Sequence, residues 1–171
     1  PATALHVVSS GDTELSLQSS DANGRRWSVQ SGQGANGGRF EIVDRTAPAS
    51  RLCILANGNV GIGMVSPLMP LQLAGGAYCT GTQWQNASDK NLKENFASID
   101  SRQVLDKLAD LSVTTWSYKS ESNTVKHLGP TAQDFRAVFG LGNSDTSIGT
   151  LDESGVALAA IQGLNQKLEE Q

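Results

Sequence analysis

The chain has little of what most enzymes and many binding domains rely on. Aromatic residues make up 5% of its 171 residues, and there are two cysteines, two histidines and two methionines. Cys53 and Cys79 are too few for a disulfide framework and lack metal-ligand spacing. His6 and His127 lie far apart, so a zinc site has no ligand set, and neither a metal nor a cofactor is expected. A net charge of -4 with scattered signs leaves no basic footprint for nucleic acid. No apolar run approaches a membrane span, and no signal peptide opens the chain. Pro1 without a preceding Met reads as the start of a piece of a longer protein. With 38% hydrophobic residues and 18 glycines the stock for a self-contained core is thin, and small domains bury a low fraction of their surface. The chain is therefore expected to need partners, most simply copies of itself.

What is present falls into two parts. Residues 1–87 read as short strands separated by turn residues. Ala4–Val8, Thr13–Gln18, Arg26–Gln30 and Arg39–Asp44 alternate apolar with polar residues, a period of two that gives each strand one buried face. Leu52–Leu55 reads as a buried strand, with Cys53 as a small core residue. Asn23-Gly24, Asn36-Gly37 and Asn57-Gly58 fall in the gaps, where Asn-Gly favours tight hairpins because both residues tolerate positive φ. Asn59-Val60-Gly61-Ile62-Gly63 is followed by neither Lys-Ser/Thr nor a helical pattern, so it is no phosphate loop. Its glycines suit close packing of three chains around an axis. Trp27, Trp84 and Trp116 read as core residues rather than a sugar-stacking platform, with Trp84 packed near the join between the two parts.

From Ser88 the pattern changes. Ser98-Ile99-Asp100 caps a helix carrying Val104, Leu105, Leu108 and Leu111. Ser112–Lys119 reads as a strand, Lys126–Gly129 as its short partner, and Ala132–Phe139 as a helix ended by Gly140. Val156–Gln171 is helical. Ile161, Leu164 and Leu168 fit a heptad seam, and Leu158, Ile161, Asn165 and Leu168 fit the adjacent one. So short a helix is marginal alone in water, which favours an intersubunit role. The expected fold class is α+β, with a β-rich segment over 1–87 and an α+β domain over 88–171 that ends in a long helix.

One segment carries chemistry. Asn86-Ala87-Ser88-Asp89-Lys90-Asn91-Leu92-Lys93-Glu94-Asn95 places a hydroxyl, Ser88, five residues before an amine, Lys93. A serine with a desolvated lysine as its base suffices for acyl transfer at a peptide carbonyl. His127-Leu128-Gly129-Pro130-Thr131-Ala132-Gln133-Asp134-Phe135 follows, and then Asp152-Glu153-Ser154-Gly155-Val156-Ala157-Leu158. Together these motifs resemble the self-cleaving intramolecular chaperone domain at the C-terminus of phage tail spikes and tail fibres, the endosialidase type, found also in the myelin regulatory factor of animals. The resemblance runs from Ser88 to Gln171.

Carried over, it implies a single-turnover serine endopeptidase with Ser88 as nucleophile, Lys93 as general base and Ala87–Ser88 as the bond cut. It implies an intertwined homotrimer acting on the upstream fibre domains of its own chain, in a virion tail fibre or spike or a phage-like or bacterial surface fibre. Lys93 must be neutral to accept the hydroxyl proton; burial disfavours an ammonium, and trimer assembly is the expected source of that burial. Asp89 either supports the pair or is an ordinary turn residue. His127 reads as structural. Two other readings stand beside this one: a permanent, non-cleaving trimerisation cap, and a glycan- or receptor-binding knob that makes no demand on Ser88.

Overall fold

A computed structural model describes residues 6–9, 11–33 and 38–171, in two compact units, Pro1–Lys93 and Glu94–Gln171. Of the expected first strand, Ala4 and Leu5 lie outside the described residues, and His6–Val8 is irregular. The Asn36-Gly37 turn also lies outside them.

The first unit is one sheet whose strands follow sequence order: β1 (Thr13–Gln18), β2 (Arg26–Gln33), β3 (Arg39–Asp44), β4 (Ala49–Ile54), β5 (Val60–Ile62), β6 (Leu71–Leu73), β7 (Tyr78–Cys79) and β8 (Trp84–Gln85). All pairings are antiparallel except β5 with β6. The β4–β5 hairpin turns at Asn57-Gly58, with Gly58 at φ 88° and its N–H donating to Leu55 O at 2.9 Å. The last three strands carry too few residues to show a period, and the sequence gives no sign of them.

Register sorts the side chains. Leu15, Val29, Ile42, Leu52, Ile62 and Leu73 lie side by side across six strands. A second row runs Phe40, Ile54, Val60, Leu71, Cys79 and Trp84. Alternation thus gives one apolar face, as expected, yet it is the opposite, polar face that is covered. On it Ser28, Gln30 and Glu41 are at most 5% exposed, beside buried Val43 and Cys53, whereas Leu15, Val29, Phe40 and Ile62 stay exposed. Trp84 is 66% exposed; it is not the packed residue its sequence position suggests, because it sits on this open apolar face.

The polar face tolerates burial because its groups satisfy one another. Gln30 Nε2 donates to Glu41 Oε2 at 2.7 Å, and Arg45 Nε to Ser28 Oγ at 2.9 Å. Asp44, buried at the end of β3 across from Trp27 on the other face, receives Arg51 at 3.1 Å, Arg25, and the backbone N–H groups of Thr46 and Ala47. Burial pushes the Asp44 carboxyl up, but the Ala47 N–H and the Arg51 and Arg25 guanidinium groups outweigh it and hold it below the usual carboxylate range. Residues 63–70 strap this side: Pro67 and Cys53 are fully buried, and a Cβ on Gly61 would lie 2.8 Å from the Met64 carbonyl oxygen. Gly61 has no room for a side chain because its own chain crosses it.

The second unit contains α1 (Ser101–Ala109), a hairpin of β9 (Thr114–Trp116) and β10 (His127–Gly129), α2 (Ala132–Phe139) and α3 (Thr150–Glu169). Asp100 caps α1 by accepting from the N–H groups of Arg102 and Gln103. Thr131 caps α2, and Gly140 ends it at φ 68°. α3 begins six residues earlier than its sequence pattern suggests, at Thr150; Asp152 and Glu153 fill its first turn, where carboxylates favour the positive end of the helix dipole. Its buried face, Val156, Ala159, Ala160 and Gly163, packs on α1 so closely that a Cβ on Gly163 would collide with the Ser101 carbonyl.

Candidate active site

The site forms where the sheet of the first unit runs out. β8 is the last strand, pairing Trp84 with Cys79 and Gln85 with Tyr78. Ala87 follows half-buried and Ser88 exposed. The chain then closes one 3₁₀ turn over Lys90–Leu92. Asp89 starts this turn because a short carboxylate can bond forward to the backbone. Its Oδ1 accepts from the Asn91 backbone N–H at 2.9 Å and from Asn91 Nδ2 at 3.0 Å. Leu92 N–H donates to Asp89 O, and Lys93 N–H to Lys90 O, each at 3.1 Å.

A 3₁₀ turn advances only about 2.0 Å per residue, so Lys93 comes back within reach of the residue before the turn. Lys93 resumes extended backbone at φ -124° and ψ 149°. Its Nζ lies 2.7 Å from Ser88 Oγ. That is hydrogen-bond reach, the first requirement for a base acting on a hydroxyl. Here the amine donates; to serve as base it must be neutral and accept instead. Both side chains are exposed in the single chain.

The structure therefore brings Ser88 and Lys93 together, with Ala87 adjoining. Asp89 bonds within the turn, to Asn91. Lys90 is exposed within the same turn. His127 is engaged in its own hairpin, with Nε2 2.9 Å from Glu121 Oε2 and its ring stacked on Trp116 at 4.7 Å. Ile161, Leu164 and Leu168 are exposed on α3. One neighbour has no sequence signal. Gly76, in the β6–β7 turn, comes against Ala87, and only the register of two-residue strands puts it there.

Residues 88–140 match the peptidase S74 family, described as chaperone of endosialidase. The match opens on Ser88 and closes on Gly140, so it takes in the 3₁₀ turn, α1, the β9–β10 hairpin and α2, and leaves α3 outside. No curated protein matches the chain. The stretch that starts at the hydroxyl facing Lys93 is a chaperone of endosialidase domain, which this chain carries from Ser88 to Gly140.

Proposed function

We propose that residues 88–171 are the C-terminal intramolecular chaperone of a homotrimeric fibre or spike, and that the assembled chaperone cuts Ala87–Ser88 through Ser88 and Lys93. The observation that carries this is the 2.7 Å contact between Lys93 Nζ and Ser88 Oγ at the first residues of the matched domain. Neutral Lys93 takes the hydroxyl proton as Ser88 Oγ attacks the Ala87 carbonyl carbon. The tetrahedral oxyanion collapses, the Ala87–Ser88 C–N bond breaks, and the departing nitrogen takes the proton back from Lys93. Water then hydrolyses the Ala87 ester on Ser88, leaving a carboxylate at Ala87 and a free amine at Ser88. Attack within one chain passes through a five-membered ring; attack on a neighbouring chain makes and breaks the same bonds.

Two features favour several copies. Opposite the α3 face that packs on α1, Leu158, Ile161, Leu164 and Leu168 form an exposed stripe, the arrangement of a helical seam. The open apolar face of the sheet is a second surface suited to further chains. An exposed lysine ammonium cannot accept a proton, so the exposure of Lys93 in the single chain fits a cut that waits for assembly. Tethering three chains raises their effective concentration, and removing the tether afterwards leaves a fibre held by its unfolding barrier.

Intact mass under denaturing conditions tests the proposal. Wild type is expected to give fragments 1–87 and 88–171, while Ser88→Ala and Lys93→Ala stay whole and still trimerise. A wild type that is trimeric and uncut would leave the permanent cap as the better reading.

A further inference from the structure

Ala87 contributes the carbonyl that Ser88 would attack, so whatever fixes Ala87 fixes the reaction. The β7–β8 register, Cys79 with Trp84 and Tyr78 with Gln85, extended by two residues, sets Gly76 across from Ala87. Residues directly opposite in an antiparallel pair hold their Cβ atoms about 4.5–5.5 Å apart. Here a Cβ on Gly76 would be 3.0 Å from the Ala87 Cβ and 4.0 Å from Leu92 Cδ1. Gly76 also adopts φ 91°, and its N–H donates to Leu73 O at 2.9 Å. Its neighbour Gly75 has nothing within 4 Å of the corresponding point and no positive φ.

We infer that Gly76 is a positioning and specificity-determining residue for the Ala87–Ser88 cut: its bare Cα is the seat on which the Ala87 methyl rests, and the seat admits only a small residue before the nucleophile. This deepens the proposed cleavage and rests on it. The Ala87 methyl lies on the Gly76 Cα while Leu92, inside the 3₁₀ turn between Ser88 and Lys93, closes on the same point. One contact thus ties the strand that bears the carbonyl to the turn that bears the dyad. A side chain on Gly76 would meet the Ala87 methyl at 3.0 Å and force it to give by a few tenths of an ångström, shifting its carbonyl relative to Ser88 Oγ. A longer side chain at position 87 would do the same from the other direction. Displacements of about 1 Å at a reacting group cost on the order of a hundredfold in rate.

The test follows cleavage of the full chain by intact mass over time, with trimer content read by light scattering. Wild type and Gly75→Ala are expected to cleave alike. Gly76→Ala and Ala87→Leu should each slow cleavage about tenfold or more at unchanged trimer content. The decisive variant is Gly76→Ala combined with Ala87→Gly. It keeps the backbone strain at position 76 but removes the collision, so it should recover most of the lost rate. Failure of this rescue would make Gly76 a turn residue only and overturn the seat. Ala87→Leu cutting as fast as wild type would overturn it too, while leaving the Ser88–Lys93 mechanism standing. An uncut wild type would bring down the mechanism and the seat together.

Discussion

The two units solve burial in opposite ways. In the sheet unit the covered side chains include Glu41, Gln30 and Ser28, linked by hydrogen bonds directly or through Arg45, and Asp44, held by Arg25 and Arg51. The apolar row from Leu15 to Ile62 faces outward. In the helical unit the covered side chains are mostly apolar, Val156, Ala159, Ala160 and Phe135. A stripe on α3 stays exposed, as do Phe96, Ile99, Val113 and Leu128 elsewhere in the unit. The sheet unit leaves a row of apolar side chains open, while the helical unit has an apolar core of its own and leaves apolar residues exposed on several elements.

Four experiments would break or sharpen this contrast. The largest effect is expected at the α1–α3 crossing. Gly163→Val drives side-chain atoms into the Ser101 carbonyl, and overpacking of this kind costs about 1–3 kcal/mol or more. Urea unfolding followed by hydrogen exchange should show the helical peptides destabilised and those of β2–β4 unmoved; equal loss in both would abolish the distinction. Next is the α3 stripe. Ile161→Asn with Leu168→Asn should give monomers by light scattering, with helix content retained by circular dichroism, because both residues are exposed in the single chain. Trimers that persist in this variant would place the contact elsewhere.

Acid should act on the sheet unit. Glu14 is lowered by its bond to Arg45, and Asp44 is lowered by the N–H and guanidinium groups that outweigh its burial. A lowered folded pKa adds stability that is present above the ordinary carboxylate range, near ~4, and lost as pH falls through the folded values. Exchange in β1–β4 should therefore accelerate below about pH 4, and Asp44→Asn should flatten the transition. The smallest expected effect has the opposite sign. Gly155, on α3 with open space around it, should gain about 0.5–1 kcal/mol on replacement by Ala.

How much of this was legible in the sequence follows from what each feature depends on. Thr13–Gln18 and Arg39–Asp44 were readable because alternation is local. Which face would be covered was not, because that depends on Arg45, Arg25 and Arg51 reaching across strands and on residues 63–70 folding back. The Ser88–Lys93 pair was readable because a single turn separates its members. The Gly76–Ala87 contact was not, because it hangs on the register of strands too short to announce themselves. Trp84 reads as core by residue type alone; its place in the outward row decides otherwise.

The order of the sheet has a consequence in time. Every strand pairs with the strand before it in sequence, so the contacts within one chain span short separations, the kind that form fast. Hairpins close in about 1–10 μs. Nothing in this sheet has to wait for a distant segment, so a single chain can complete its own ladder before meeting another. The slow step of the proposed maturation is then the encounter between chains. Its signature would be a lag before cleavage that shortens with protein concentration, however quickly each copy folds.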